Sequence, residues 1–367
     1  MSRILISAAH KSSGKTTLSI GLCAALSHRG YRVQPFKKGP DYIDPLWLTQ
    51  ACGTACYNLD FNTQSLEEIT DTFSQSSGAS DIRFIEGNKG LFDGVDPLGS
   101  DCNAALAKHL DVPVILVIDV QGITRGVAPL IMGYQQFDPE INIVGVILNK
   151  VAGDRHERKL RQALKEYTEV PVLGAVRKHD ELVIDERHLG LVPSNEHNYA
   201  TRKIELLRQH IEQQVEVDGL IRMLGIGSAG NYPEQKAAGV TAKLKIGIAQ
   251  DSAFGFYYQD DLQAFARLGA GLIPVDLIHD QQLPEIDGLF IGGGFPETHM
   301  QELSQNESMR QSVRKAVQSG MPVYAECGGL MYLCRDIDWH GHKLPMAAAL
   351  PADVVMHERP QGRGYVK

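Results

Sequence analysis

The 367-residue sequence predicts an α/β protein in two parts: a doubly wound parallel sheet, then a second, shorter α/β domain. Three observations predict it. Short runs of Val, Ile and Leu alternate with stretches of helical apolar spacing, the pattern of a parallel sheet covered on both faces. Residues 225–243 break that pattern with Gly, Pro, Ser and Asn and little periodicity, as a linker does. A fresh apolar run then opens at Lys245-Ile246-Gly247-Ile248-Ala249. The expected boundaries are 1–224, 225–243 and 244–367.

The first strand is Arg3-Ile4-Leu5-Ile6-Ser7, followed by a small-residue loop over 9–17 and a helix over 18–27. Strand, loop ending in Gly-Lys-Thr, helix is the context of a phosphate-binding loop. Backbone amides of Ser12, Ser13, Gly14, Lys15, Thr16 and Thr17 would converge on phosphate oxygens at the positive end of the helix. Lys15 would reach the β- and γ-phosphates of a nucleotide, and the Thr16 hydroxyl would sit on Mg2+. Ala9 stands where the strict pattern has its first glycine. Nucleotide switches with a second, signature lysine would carry it at His10, so Lys11 is not read as one.

Further strands are expected at 31–36, 83–86, 112–119, 143–149 and 172–176. Ligands in such sheets bind at the carboxyl ends of strands, so the polar residues there carry the information. After the second strand comes Lys37-Lys38-Gly39-Pro40-Asp41-Tyr42-Ile43-Asp44-Pro45. Its prolines hold the backbone. Lys37 offers charge to phosphate or carboxylate, and the aspartates offer Mg2+ ligation or hydrogen-bond acceptance. Asn58-Leu59-Asp60 follows with little specificity of its own. After the next strand, Glu86-Gly87-Asn88-Lys89-Gly90-Leu91-Phe92-Asp93-Gly94 puts two acids among three glycines. Glu86 and Asp93 fit one Mg2+-nucleotide site. Asn149, at a strand end, is placed either to read an adenine edge or to make a turn. Arg187 and His188 precede a short strand and offer cationic groups to an anionic substrate, or a structural histidine. A helical stretch over 199–224 closes this half.

In the second half a strand over 288–291 runs into Gly292-Gly293-Gly294-Phe295-Pro296-Glu297. Then Met321-Pro322-Val323-Tyr324-Ala325-Glu326-Cys327-Gly328-Gly329-Leu330 reads as strand, cysteine, glycines, helix. That order resembles a nucleophile elbow with Cys327 in the nucleophile seat. The turn exposes the sulfur, and the helix N-terminus is expected to lower its pKa towards thiolate. Gly292, Gly293 and Gly294, with Gly328 beside the cysteine, offer backbone amides to an oxyanion.

Composition is that of a globular protein, 43% hydrophobic and 22% charged. The net charge of −8 argues against a nucleic-acid-coating protein. No basic segment leads into an apolar stretch and cleavage site, and the longest apolar runs, such as 112–118, are too short for a bilayer. The six cysteines form neither a secreted disulfide framework nor a paired zinc motif, so a reducing cytoplasm is the expected compartment.

Taken together these blocks resemble the cobyrinate a,c-diamide synthases, glutamine-dependent amidoligases of tetrapyrrole acetate side chains. The match runs through Ser12-Ser13-Gly14-Lys15-Thr16-Thr17, Phe36 to Pro45, Glu86-Gly87 with Gly90 to Gly94, and Arg187 to Leu191. It continues in Ala253-Phe254, Phe256-Tyr257-Tyr258, Gly292 to Glu297 and Tyr324 to Gly329. The first half also looks like the dethiobiotin synthetase type of P-loop fold, and the second like a class I glutamine amidotransferase domain. The resemblance implies ATP and Mg2+ as cofactors, and ATP, glutamine and a tetrapyrrole acid as small-molecule partners. It implies no nucleic-acid or membrane partner and leaves room for a homodimer. Cys327 would form a glutamyl thioester and release ammonia, while the first domain would phosphorylate a substrate carboxylate for ammonia to attack. Asp41, Asp44, Glu86 and Asp93 are the candidates for metal ligation and for orienting the acetate or the ammonia. Tyr42, Arg187 and His188 are the candidates for holding substrate.

Glutaminases of this class also take a histidine well downstream of the cysteine. Here only residues 328–367 follow Cys327, and His340, His342 and His357 lack the expected context, so the second domain is expected to be truncated. Asn88-Lys89 stands where corrin-pathway members have Val-Met; this wording is closer to the branch found beside sulfite reductase in sulfur bacteria, whose proposed substrate is sirohaem. Two readings of other classes stand beside the amidoligase. One is a P-loop nucleotide switch or partitioning ATPase, and the other a scaffold that has lost glutaminase activity.

Overall fold

The computed structural model describes residues 2–75, 80–187, 190–195, 197–230, 243–359 and 361–362. The chain folds as two compact units, Met1–Glu234 and Gln235–Lys367.

The first unit contains β1 (Ser2–Ala8), α1 (Lys15–His28), β2 (Val33–Lys38), α2 (Ile43–Cys52), β3 (Tyr57–Leu59), α3 (Leu66–Gln75) and β4 (Ile82–Glu86). It continues with α4 (Asn103–His109), β5 (Val114–Asp119), α5 (Val127–Phe137), β6 (Ile143–Val151), α6 (Asp154–Tyr167) and β7 (Val172–Arg177). A short ladder, β8 (Glu186–Arg187) with β9 (Gly190–Leu191), precedes α7 (His197–Gln214) and α8 (Val217–Met223). The seven main strands form one sheet in the order β3-β2-β4-β1-β5-β6-β7, with every ladder parallel. Successive β1 residues Ile4, Leu5 and Ile6 are all buried, so both faces of the sheet are covered. On one face Leu5, Phe36, Ile85 and Leu116 pack with Ile69 and Phe73 of α3, Leu106 of α4, Ile131 of α5 and Leu160 of α6. Helices α1, α2 and α7 pack against one another.

Two details depart from the pattern read in the sequence. The second strand starts at Val33 rather than Tyr31, because Gly30 (φ 85°) and the Tyr31 amide, bonded to Leu26 O at 3.2 Å, close α1. It also runs on through Lys37 and Lys38, which read as a loop in sequence. Their register, Lys37 beside Glu86 and Asn58, carries them into the sheet and buries both. The short edge strand β3, unmarked by periodicity, follows from that pairing.

The second unit holds β10 (Leu244–Ala249), β11 (Phe254–Phe256), α9 (Gln259–Arg267), β12 (Ala270–Val275), β13 (Gly288–Ile291) and β14 (Gly293–Gly294). Then come α10 (Met300–Gln305), α11 (Glu307–Gln318), β15 (Val323–Ala325), α12 (Gly328–Leu333), β16 (Asp336–Trp339), β17 (His342–Pro345) and β18 (Val354–Val355). A parallel sheet of order β12-β10-β13-β15 forms its centre, and β11 pairs antiparallel with β14. Leu289 and Ile291 pack there with Val275, Leu303, Val313 and Tyr332. No described helix is long and apolar enough to cross a membrane.

Candidate active site

In the first unit the site forms where β1, β2 and β4 end side by side. Gly14 adopts φ 85° and lets β1 turn sharply into α1. A Cβ there would stand 2.2 Å from Asn149 Nδ2, so the position needs glycine on two counts. That Asn149 amide donates to Ser13 O at 2.8 Å, and Lys150 Nζ donates to Ser12 O at 3.1 Å while pairing with Asp119 at 2.7 Å. Ser13 Oγ donates to His10 O at 2.7 Å. The loop is thus held at three carbonyls, which leaves its amides as its free polar face. Asn149 serves the loop backbone with the amide that sequence reading offered to a base. Lys150, passed over in the sequence, acts with it; its signal was its place next to Asn149 at the end of an apolar strand, and the register of Asp119 beside Asn149 brings its partner to it.

Lys15 is buried at the start of α1. Loss of water lowers its pKa to about 8, against the carboxylate of Glu86, with Lys37 adding repulsion. Thr16 Oγ1 donates to Glu86 Oε1 at 2.6 Å and lies 3.2 Å from Asp44 Oδ2. Lys37 Nζ reaches the same carboxylates, 2.5 Å from Asp44 and 3.1 Å from Glu86, with Asp41 at 3.8 Å. Burial alone would lower Lys37, but these three acids outweigh it and hold the ammonium well above its ordinary range. Burial pushes Glu86 up to about 7, with Lys37 opposing. Burial and then Asp44 raise Asp41 to about 6, again with Lys37 opposing.

Glu86 Oε2 is buried and has no hydrogen-bond partner among the described residues. An oxygen-only set of Thr16, Asp44 and Glu86 with one open carboxylate oxygen fits a hard divalent cation such as Mg2+. Asp41, also expected as a metal ligand, sits differently. Its Oδ1 accepts the amides of Ile43 and Asp44 at 2.9 and 3.0 Å, which fastens it to the start of α2, and Asp44 takes the place beside Thr16. Asp93 is exposed, and its Oδ2 accepts the Gly90 amide at 3.2 Å; it acts on Lys15 through its charge and does not join the Thr16 cluster. Asn103, at the start of α4, escaped sequence reading. It is fully buried, donates to Gly90 O (2.9 Å) and accepts the Asn88 amide (3.2 Å), so it shapes the loop between Glu86 and Asp93. Tyr42 is half-buried at the start of α2. The side chain of Arg187 and the whole of His188 lie outside the described residues.

In the second unit the chain turns from β15 into α12 at Cys327, with φ 47° and ψ −117°. A positive φ at a non-glycine residue is the strained corner of a nucleophile elbow. The corner is tight: a Cβ on Gly329 would meet Ile291 O at 2.1 Å, and one on Gly328 would meet Pro296 Cδ at 2.8 Å. The Gly328 and Gly294 amides both point at the sulfur. The thiol nevertheless lies above its ordinary value, not below it as expected. Cys327 is exposed as a residue, yet protein packed about its sulfur is the largest cause, and the nearby carboxylates of Glu297 and Glu326 add to it, together outweighing the two amides. The glycine run also divides. Gly294 faces Cys327, a Cβ on Gly293 would stand 3.6 Å from Cys327 Cβ, and the Gly292 amide is engaged at 2.9 Å by the Tyr257 hydroxyl. Gly292 is therefore removed from the set of oxyanion donors.

Residues 4–192 match the model of the CobQ/CobB/MinD/ParA nucleotide binding domain, and residues 245–367 that of the CobB/CobQ-like glutamine amidotransferase domain. The chain is 45% identical to a cobyrinate a,c-diamide synthase of Magnetococcus marinus, over 100% of this chain and 80% of that relative. It is 41% identical to one of Methanosarcina acetivorans, over 96% of this chain and 77% of the relative. Among solved structures, chloroplast FtsY from Physcomitrella patens is similar at 16% identity and a TM-score of 0.37, over 56% of this chain and 65% of that one. A nucleotide-binding domain and a glutamine amidotransferase domain in one chain, aligned over at least 96% of its length with these relatives, place it in the cobyrinate a,c-diamide synthase family as a glutamine-dependent amidoligase.

Proposed function

We propose that this protein amidates the acetate side chains a and c of cobyrinate, taking nitrogen from glutamine and energy from ATP. The observation that carries the reading is the pairing of two corners of different chemistry, one gathering Lys15, Thr16, Lys37, Asp44 and Glu86 and the other presenting Cys327 between two amides. On the same reading 1–224 is the ligase and 244–367 the glutaminase, joined by a linker over 225–243, of which 231–242 lie outside the described residues.

In the second unit, Cys327 Sγ attacks the glutamine side-chain carbonyl. The C–N bond breaks, the thiol proton leaves with the nitrogen as ammonia, and a glutamyl thioester remains for water to hydrolyse to glutamate. The Gly294 and Gly328 amides stabilise the oxyanion of each step. The raised thiol pKa is compatible with this order, because substrate entry and proton removal by a base must precede attack.

In the first unit, a substrate carboxylate takes the γ-phosphoryl group of ATP, giving an acyl phosphate and ADP. Ammonia then displaces phosphate, leaving the amide, inorganic phosphate and a proton. A carboxylate is inert to ammonia and a mixed phosphoric anhydride is not, so the nucleotide is consumed to make the carbon electrophilic. Amides of Ser12 to Thr17 and the Lys15 ammonium cradle the phosphates. Lys37, held between three acids, is a fixed positive charge beside the transferred group. Thr16, Asp44 and Glu86 would hold Mg2+, which neutralises phosphate charge when bound. Asp41 and Asp93 remain for orienting the acetate or the ammonia, and Tyr42, at the start of α2, for holding substrate.

The pair Asn88-Lys89 supports one second substrate, sirohaem. Lys89 is exposed with φ 41° and lies 3.3 Å from Gly94 O, which puts a cation on the loop before Asp93. Both macrocycles bear acetates, so the chemistry is shared. Incubation with ATP, Mg2+ and ammonia and either cobyrinic acid or sirohaem, followed by mass spectrometry, tests the reading. Two carboxyls of cobyrinate converted to amides support it; conversion of sirohaem alone moves the substrate, and ATP hydrolysis with neither amidated overturns the ligase assignment.

A further inference from the structure

One block picked out by the sequence, Ala253-Phe254 with Phe256-Tyr257-Tyr258, has no place in the chemistry so far. It lies in β11 and its flanks, against the glycine run. The Tyr257 hydroxyl donates to Ala249 O at 2.6 Å and accepts the Gly292 amide at 2.9 Å. It therefore joins the end of β10 to the end of β13 across the sheet. Only glycine fits so close to the tyrosine: a Cβ on Gly292 would stand 2.5 Å from the Tyr257 ring. Next in line, Gly293 and Gly294 pair with Phe256 and Phe254. Ala253 O accepts the Phe295 amide at 2.9 Å, and the Phe256 and Phe295 rings meet edge to face at 5.4 Å. On the far side Asp251 accepts the amides of Ala253 and Phe254 at 2.8 and 2.9 Å and of Leu277 at 2.8 Å, fixing the turn that enters β11. Every residue of the glycine run is thereby placed by this block, up to Gly294, whose amide faces Cys327.

We propose that Tyr257 is a positioning residue for the glutaminase reaction: its hydroxyl fixes Gly292 and so aims the Gly294 amide at the Cys327 sulfur and at the oxyanion formed there. The inference rests on the reading of Cys327 as the nucleophile. The physical requirement is direct. An oxyanion donor must be held in place before charge develops, and a short two-residue strand such as Gly293–Gly294 cannot hold itself. With no side chains of its own to pack, the run takes its position from its neighbours. Tyr257 supplies the hydrogen bond at its entrance, and Asp251, through Ala253, the support at its exit.

Tyr257→Phe keeps the ring and removes only the hydroxyl. Three readouts in the full chain separate aim from fold. The first is the pH dependence of Cys327 alkylation by iodoacetamide, followed at that peptide by mass spectrometry, with Glu297 and Glu326 the carboxylates facing the sulfur. The second is kcat and KM for glutamine hydrolysis. The third is ammonia-driven amidation as a control for the rest of the molecule. With the Gly294 amide mis-aimed, the alkylation midpoint moves to higher pH and kcat falls by roughly tenfold, while KM and ammonia-driven amidation stay within about twofold. An unchanged alkylation midpoint, or an unchanged kcat, overturns the proposal. If Tyr257→Phe fails to fold, Asp251→Asn carries the same readouts with the same expectations. Cys327→Ala run alongside keeps the two claims apart. Glutamine hydrolysis surviving in Cys327→Ala removes the nucleophile assignment; its loss there, with wild-type values in Tyr257→Phe, removes the positioning role alone.

Discussion

At Gly14 the chain passes from β1 into α1 through a left-handed glycine, whereas at Cys327 it passes from β15 into α12 through a cysteine with positive φ. The first corner is surrounded by charge: Lys15, Lys37, Asp44 and Glu86 crowd the ends of three adjacent strands. The second is surrounded by backbone, with Gly294 and Gly328 amides about the sulfur. The difference follows the chemistry. A triphosphate arrives with its charge already formed, so fixed ammonium groups suit it, with carboxylates to hold them and a bound cation in place. A tetrahedral oxyanion exists only during reaction, so donors that carry no net charge and need no counter-ion suit it better. Backbone strain occurs at both corners. At the nucleotide corner Gly14 takes φ 85° without strain but Ser12 beside it is held at φ 66°, and at the elbow Cys327 is held at φ 47°, which is costly for a residue with a side chain.

The largest effect that sharpens this contrast is expected from Cys327→Ala. Glutamine-driven amidation should fall by roughly 10⁴-fold, while ammonia-driven amidation stays within about twofold. Equal loss from both nitrogen sources would mean the two corners are not separate in function. Lys15→Ala should lower amidation from either nitrogen source by roughly 10³-fold, read as product per unit time, since it acts on phosphoryl transfer. Survival of ammonia-driven amidation in that variant would break the comparison from the other side.

Glu86→Gln should cost roughly 10²-fold in amidation rate and also flatten a pH dependence. Burial holds the Glu86 carboxyl up to about 7 from an ordinary value of 4.5, so it is protonated in the folded chain where the unfolded chain has already ionised. Two consequences follow with opposite signs. Stability contributed by this group is present below 4.5 and falls as pH rises towards 7. Magnesium-dependent nucleotide binding strengthens over the same rise, because the open Oε2 becomes a charged ligand. Calorimetric titration at several pH values reads the second, and Glu86→Gln should lose the slope. Thr16, Lys15, Lys37 and Asp44 face the group and set its position on the pH scale.

Gly294→Ala would put a Cβ 1.9 Å from Ala253 O and should lower unfolding free energy by about 1–3 kcal/mol in denaturant melts, with glutamine hydrolysis lost before ammonia-driven amidation. The smallest effect belongs to Asn149→Ala, which removes the 2.8 Å bond to Ser13 O and should cost about 1 kcal/mol with a modest rise in the KM for ATP.

The parts of the molecule legible in sequence are those written in contiguous residues. Strand, loop and helix at Gly14, and strand, cysteine and glycines at Cys327, each carry their own local geometry. What sequence reading missed depends on register across strands. Lys37 read as a loop lysine, yet its partner Glu86 lies far away in the chain and beside it in the sheet. The choice between Asp41 and Asp44 turned on which carboxylate the first turn of α2 needed for its own amides, which spacing alone does not reveal. Asn103 acts on backbone groups of a remote loop and left no mark in a motif, whereas Lys150, next to Asn149, and Tyr257, within Phe256-Tyr257-Tyr258, lay in stretches the sequence marked without revealing their backbone partners. The raised Cys327 thiol shows the same limit. The helix N-terminus was visible, but the protein packed about the sulfur of this exposed residue and the Glu297 and Glu326 carboxylates that outweigh it were not.

Isotope transfer tests carboxyl activation most directly. Substrate labelled with ¹⁸O in its carboxylates, incubated with unlabelled ATP, Mg2+ and ammonia, should deliver one ¹⁸O to inorganic phosphate for each amide formed, because the activated oxygen departs with the phosphoryl group. Phosphate free of label, with amide still produced, would contradict the acyl phosphate and the role given to the Lys15 corner.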